Sequence, residues 1–408
     1  MGYPPQILVV TRLGNRTWYR VLSCMLAMLA AIGLIRYAYS PLVPAMIIDH
    51  WLTGAEVGYI GTVNFLGSLI GAVTTMWLAR IFTGGWVCRM ALLIGFASLV
   101  LAAFNLGPWW LAIWRFVAGL TAVSGMILAP TLVTQGVRSE LCGRLLGFTF
   151  AGAGIGIVLL SLTLPPVMGH DAQTGWLYTA GLTMACLVIS WPGLKTKPCL
   201  PESKKDDGKN KVYRGKLILL AAGYFIAAAA IVPHSLYLAA YIHLDLHQPL
   251  GISVMIYAIF GAGILLGGIL LDGLLAAWIG HYLAMLAAMI IGLASILMVV
   301  LTDSVWIAAA SGFVLGVSQM GFASIATHRV LVFAGQAGHV KWWGTLAILF
   351  NSGMAAASFA MGYMIYIGWG FKAGFWMAGA CFVITLIINA LITTPKRLVQ
   401  EDQVAGHS

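Results

Sequence analysis

Along this chain of 408 residues, long apolar runs alternate with short polar ones. A helix that crosses a bilayer needs about 20 predominantly apolar residues. Measured with that length, the pattern predicts spans over 20–46, 56–79, 86–105, 109–135, 144–168 and 174–194. Six more follow over 216–242, 251–276, 281–301, 304–328, 342–367 and 371–393. Between the two sets lies Lys195–Lys216, KTKPCLPESKKDDGKNKVYRGK, with two prolines and eight basic residues. This stretch reads as a flexible linker. The expected domains are a six-helix bundle over 1–194, the linker over 195–216, a second bundle over 217–394 and a tail over 395–408. The fold class is all-α, a membrane protein of twelve transmembrane helices in two pseudo-symmetric six-helix bundles.

Composition sharpens the class. Hydrophobic residues make up 61% of the chain and charged residues only 8%, against roughly 25% charged in soluble domains. Mean hydropathy is +0.95. So few charges cannot dress 408 residues for water, so the lipid bilayer must solvate most of the chain. Fifteen Trp and fourteen Tyr suit two interfacial belts. The net charge of +10 does not indicate nucleic acid, because the basic residues sit in short loops between apolar runs. The N-terminus, the even-numbered loops, the linker and the C-terminus hold 19 of the 22 Lys and Arg. The odd loops hold only Lys372. That bias puts both termini and the linker in the cytoplasm of a multi-pass inner-membrane protein. The N-terminus does not read as a signal peptide, since Arg12, Arg16 and Arg20 precede a long span with no small-residue cleavage site. The six Cys form no Cys-x-x-Cys pair, which gives no disulfide framework and no metal site.

Several motifs carry a resemblance. The first span contains Gly33-Leu-Ile-Arg36-Tyr37-Ala-Tyr39-Ser-Pro41-Leu-Val-Pro44, and the fourth contains Arg115-Phe-Val-Ala-Gly119. The fifth carries Gly147, then Gly152-Ala-Gly154-Ile-Gly156, then Pro165-Pro166. With two sets of six spans about a basic linker, the chain resembles the major facilitator superfamily. Its first span is similar to a branch of short bacterial permeases, the YbfB/YjiJ-like group. The resemblance implies the major facilitator fold. It also implies a gating-loop motif, Gly-x-x-x-Asp-(Arg/Lys), with Gly268-Ile-Leu-Leu-Asp272 and Gly280 as its second-half copy, lacking the basic partner. The first-half copy retains Arg80 and Arg89 without an Asp. A shift of 198 residues between the halves sets His234 opposite Arg36.

Two basic residues, Arg36 and Arg115, lie deep inside predicted spans, and the acidic residues fall in loops, the linker, the tail or at span ends. Arg36 is 16 residues from Arg20 and 13 from Asp49, roughly 20 Å from either surface along a helix. A charge at that depth costs at least about 2.5–3.5 kcal/mol. It is either a substrate ligand or a structural group on carbonyls freed by Pro41 and Pro44. Arg115 has the same two readings, and a long side chain near an interface can also snorkel. His234 follows Pro233 and is either a packing residue or a ligand and proton-coupling site. Tyr37, Tyr39, Asn64, Tyr237, Gln319 and Asn351 are polar within spans. Each lines a cavity or satisfies a neighbouring helix. His328, beside Arg329, is expected at the interface.

These features point to a monomeric secondary transporter of a small organic anion, working by alternating access, with no cofactor and no nucleic-acid partner. The two intramembrane arginines make the cavity electropositive, so a carboxylate is the natural counter-ion and an organic cation is disfavoured. A neutral or zwitterionic solute, with both arginines structural, is the alternative within transport, as is a drug exporter. A polytopic sensor or membrane-embedded enzyme is the alternative outside it, although no Walker loop, paired metal-spaced His or Gly-x-Ser-x-Gly is present. Proton-driven relatives usually carry an intramembrane carboxylate. Here the anion would carry its own proton or exchange with another anion, or the proton would travel on His234. The topology is tested by reporter fusions at Lys205 and at the C-terminus. Both are expected to read cytoplasmic, and a periplasmic signal at either contradicts the charge bias.

Overall fold

A computed structural model of the protein describes residues 15–134, 139–169, 171–194 and 213–393. Arg12, Arg138, most of the predicted linker and the tail lie outside the described residues. Every regular element among the described residues is a helix. Eleven helices are long and apolar enough to cross a membrane. In chain order they are α1 (Trp18–Ile48), α2 (Gly54–Ile81), α3 (Gly84–Ala102), α4 (Pro108–Val133), α5 (Gly147–Met168), α7 (Arg214–Leu244), α8 (Leu250–Ile279), α9 (His281–Leu301), α10 (Val305–Gly335), α11 (Lys341–Tyr366) and α12 (Gly370–Ala390). The sixth predicted span is the helix Ala172–Ser190, α6. It is less apolar, carrying Gln173, Thr174, Thr179 and Thr183. The buried hydroxyls of Thr179 and Thr183 bond the carbonyls four residues back, both at 2.9 Å, so the helix keeps these polar groups satisfied internally.

Local chemistry explains the helix ends. Thr53 and Glu56 form a capping box at the start of α2. Asp171 caps α6, accepting from the Gln173 and Thr174 amides at 3.0 Å each. The Thr174 hydroxyl and these amides hold the Asp171 carboxyl below its usual range. Large apolar side chains cover the outside: Trp109, Trp278 and Trp306 are 84%, 85% and 79% exposed. That surface fits lipid and not water.

Two expectations are corrected. The tenth span continues past His328 and Arg329 to Gly335, whose φ of 68° turns the chain into α11. Arg329 is 2% exposed, where a loop position was expected. Its guanidinium donates to the Ile392 carbonyl just beyond α12 and lies on the Phe333 ring, so the charge is met by a helix C-terminus. The linker ends earlier than 216, because α7 begins at Arg214 and Lys216 donates to the Thr393 carbonyl. Arg89 and Asp272 lie in helices, within the predicted spans 86–105 and 251–276. Arg89 sits in α3 over the Trp191 ring at 5.1 Å. Asp272 lies in the π-helical turn Gly268–Leu275 of α8, bonded by Ser324 and 3.5 Å from His281. His281 in turn stacks on His328 at 3.7 Å between ring centroids. Arg80 is exposed at the end of α2.

The halves repeat one another in their irregularities. α1 contains a π-helical segment, Leu29–Arg36, and α7 contains another, Pro233–Tyr237. Each of these helices ends near a histidine with positive φ, His50 at 57° and His247 at 52°. Helices cross closely where both carry glycine, as α1 and α5 do at Gly33 and Gly156. A Cβ on Gly156 would stand 2.8 Å from the Gly33 Cα and 2.9 Å from the Leu29 carbonyl oxygen. Gly181 of α6, by contrast, has nothing within 4 Å of a built Cβ. Gly156→Ala is therefore expected to lower the melting temperature of the detergent-solubilised protein, by overpacking worth about 1–3 kcal/mol. Gly181→Ala should leave it unchanged or raise it, since alanine is favoured in a helix by about 0.5–1 kcal/mol. Equal effects at the two positions contradict the crossing.

Candidate functional site between the halves

The site grows from the interruption of α1. Pro41 has no N–H to give the carbonyl four residues back, and the Ser40 amide bonds Tyr37 at 3.3 Å. The carbonyls of Ile35 and Arg36 face a neighbour in place of their own helix. Arg115 of α4 fills both, donating from Nη1 to Ile35 and from Nη2 to Arg36, each at 3.0 Å. Its guanidinium is sandwiched by the rings of Tyr39 at 5.3 Å and Trp176 at 5.6 Å, and the residue is 1% exposed. Asn64 of α2 donates to the Arg115 carbonyl at 2.7 Å. The structural role considered for Arg36, a cation on carbonyls freed by proline, is thus filled by Arg115.

Arg36 points the other way, across the seam between the halves. Its Nη2 donates to Asn351 Oδ1 of α11 at 3.2 Å and lies 3.4 Å from the Met354 sulfur. The Phe65 ring lies 5.3 Å from the guanidinium carbon. Arg36 is 8% exposed. Among the described residues no carboxylate pairs with either arginine: the ion pairs there are Asp272 with His281 and Asp303 with Lys372.

Arg36, Tyr37, Tyr39, Asn64 and Arg115 line one small cavity. Ser40, Gly61, Phe65, Ser235 and Leu236 complete it. Its free space is about 20 Å³, room for about one water and not for an organic solute. Tyr37 accepts from Gln319 of α10 at 3.1 Å, which brings Gln319 to the same seam. Two candidates stand apart. Tyr237 donates to the Gly54 carbonyl at 3.3 Å. His234 is fully buried with Nε2 3.0 Å from the Ser311 hydroxyl and its ring edge-on to Phe375, so residues 235 and 236 line the cavity in its place. Among the residues not expected from sequence are Phe65, Ser235 and Met354. Their signal was adjacency: Phe65 follows Asn64, Ser235 follows His234, and Met354 is one turn from Asn351.

The seam is tied beyond Arg36, toward the ends opposite the linker. Ser40 donates to the Ser235 carbonyl. Thr62 donates to Ala355 at 3.2 Å, and Ser358 donates to Gly58 at 2.8 Å. Gly58 and Gly362 meet backbone to backbone there, and the Tyr59 and Phe359 rings pack at 5.3 Å. On the linker side of Asn351, the face of α11 continues through Phe350 and Trp343, which group with Tyr224 of α7 at 5.1 and 6.0 Å. The far end is closed around a buried cation.

Residues 28–390 match the family described as "Uncharacterised MFS-type transporter YbfB". The chain belongs to this family of major facilitator transporters. It is also similar to the niacin transporter NiaP of Acinetobacter baylyi, with 31% identity over 144 residues, or 35% of this chain. That match spans only 31% of the relative's own length. A crystal structure of a mutant of the nucleoside transporter NupG superposes with a TM-score of 0.71 at 12% identity, covering 91% of this chain and 100% of that one. The likeness shows a shared fold. YbfB-type membership makes the protein a multi-pass membrane protein of the major facilitator type, and the closed seam is the interface between its two helix bundles.

Proposed function

We propose that the protein carries a small organic anion with a single carboxylate group across the inner membrane by alternating access. The reading rests on Arg36, a buried cation at the seam of the bundles whose described acceptors are a neutral amide and a thioether. Inserting that charge costs at least about 2.5–3.5 kcal/mol, and a neutral acceptor offsets little of it. A carboxylate completes the guanidinium fork with charge-assisted bonds. Arg115 has both terminal nitrogens on backbone carbonyls. One fork is therefore available, which suits a monoanion. A cationic solute would meet both arginines unscreened.

Niacin, named for the partial relative, is a pyridine carboxylate and fits this chemistry. Phe65 beside Arg36, and the Tyr224, Phe350 and Trp343 group toward the linker end, give a planar ring surfaces to pack on. The conformation described is closed at the far end, which the charge bias assigns to the periplasm. Loading or release then proceeds from the cytoplasmic side. Coupling is proposed to travel with the anion, as exchange or as a co-transported proton, because the His234 ring engages Ser311 and Phe375.

The test is a thermal-shift screen of monocarboxylates, including nicotinate and its neutral isostere nicotinamide, followed by uptake into proteoliposomes. Carboxylates are expected to stabilise the protein and nicotinamide is not. Arg36→Gln should weaken binding about 10–100-fold, corresponding to a charged hydrogen bond of about 1.5–3 kcal/mol. Arg36→Lys, which keeps the charge without the fork, should fall between. Stabilisation by neutral solutes alone, or unchanged uptake in both variants, overturns the proposal.

A further inference from the structure

The bond between Arg36 and Asn351 joins α1 of one bundle to α11 of the other. Asn351 is 3% exposed. Its amide nitrogen donates to the Ala347 carbonyl at 2.9 Å, which orients its oxygen toward Arg36. Met354, one turn on, presents its sulfur to the same Nη2. A thioether is a weak acceptor and an amide oxygen a neutral one, and a carboxylate bonds a guanidinium about twice as strongly as a neutral acceptor does. The arrangement therefore holds Arg36 well enough to keep it from lipid, yet yields it to an anion.

We infer that Asn351 is a placeholder for the transported anion: in the empty carrier its amide oxygen occupies the guanidinium position that a substrate carboxylate oxygen takes on loading. The inference rests on the anion reading of Arg36. Its consequence is mechanical. Loading breaks a bond across the seam, next to the Thr62–Ala355 and Ser358–Gly58 bonds that hold the far end shut. The loaded carrier is then freer to open there, and unloading restores the bond. A substrate shifts such an equilibrium only through differential interaction with its two states, and the displaced bond supplies that difference. An aspartate at 351 would neutralise Arg36 permanently and lock the seam, whereas a leucine would leave it untied.

The distance measurement needs no ligand, and the uptake beside it uses nicotinate. Spin labels at Leu106 and Trp306, exposed far-end positions in opposite bundles, report the distance between them by double electron–electron resonance in the full chain with its native cysteines replaced. Relative to the parent, Asn351→Asp should raise the ratio of short to long distances about fivefold or more, and Asn351→Leu should lower it by a similar factor. The double variant Arg36→Gln with Asn351→Asp should lose the shift, which separates an ion pair from a packing effect. Asn351→Gln, a gentler change that moves the oxygen out of register, should behave like a weaker Asn351→Leu if the latter does not fold. Parent-like distributions in the Asp and Gln variants overturn the placeholder. If they coincide with lost uptake in Arg36→Gln, the anion reading survives without it. Shifted distributions with normal uptake in Arg36→Gln overturn the anion reading and the placeholder, leaving only a seam bond.

Discussion

Within a bilayer an unbonded carbonyl has no water to turn to, and the pair left open at Ile35 and Arg36 by the interruption of α1 would each cost several kcal/mol. The guanidinium of Arg115 satisfies both at 3.0 Å. Much else follows from that contact. It holds α1 against α4 at the depth where α1 is least regular. It satisfies polar backbone that the proline-interrupted α1 would otherwise leave open in the core. It also sets the backbone of Arg36 so that the side chain crosses the seam and meets α11.

The two intramembrane arginines therefore divide the labour. Arg115 is spent on backbone, boxed by Tyr39 and Trp176, and barely exposed. Arg36 is held by partners of the opposite bundle, Asn351 and Met354, that do not neutralise it. A cation in this second situation is suited to a ligand that comes and goes. The same seam carries the contacts that close the far end, so the group proposed to sense the anion is also part of the gate. In a carrier that rocks two bundles about a central site, that placement couples occupancy to conformation without a long pathway.

Much of the fold was legible in the sequence, because length, hydropathy and the sidedness of Lys and Arg are each set by the bilayer and read residue by residue. The misreadings have specific causes. Arg329 looked like a loop residue because charge usually ends a span. It is buried because the end of α12 brings a free carbonyl within reach. The candidate site was half legible. Charge and polarity inside spans single out Arg36, Tyr37, Tyr39, Asn64 and Arg115, and these do converge on one cavity. Which arginine would find the open carbonyls depends on the crossing of α1 and α4, and no spacing along the chain encodes that. The ring of His234 turns to Ser311 for the same kind of reason, since the π-helical turn after Pro233 rotates the face that α7 presents.

The division between the arginines can be measured directly in Arg115→Gln and Arg36→Gln, comparing the melting temperature of the detergent-solubilised protein with its further rise on adding the best-stabilising carboxylate. Arg115→Gln should lower the melting temperature substantially, because two buried carbonyls lose a partner at about 1–3 kcal/mol each, while the protein that remains folded keeps a carboxylate-dependent rise. Arg36→Gln should keep a melting temperature near that of the parent and lose the rise. The opposite pattern, a stable Arg115→Gln that no longer responds to carboxylate beside a destabilised Arg36→Gln that still does, would contradict the account.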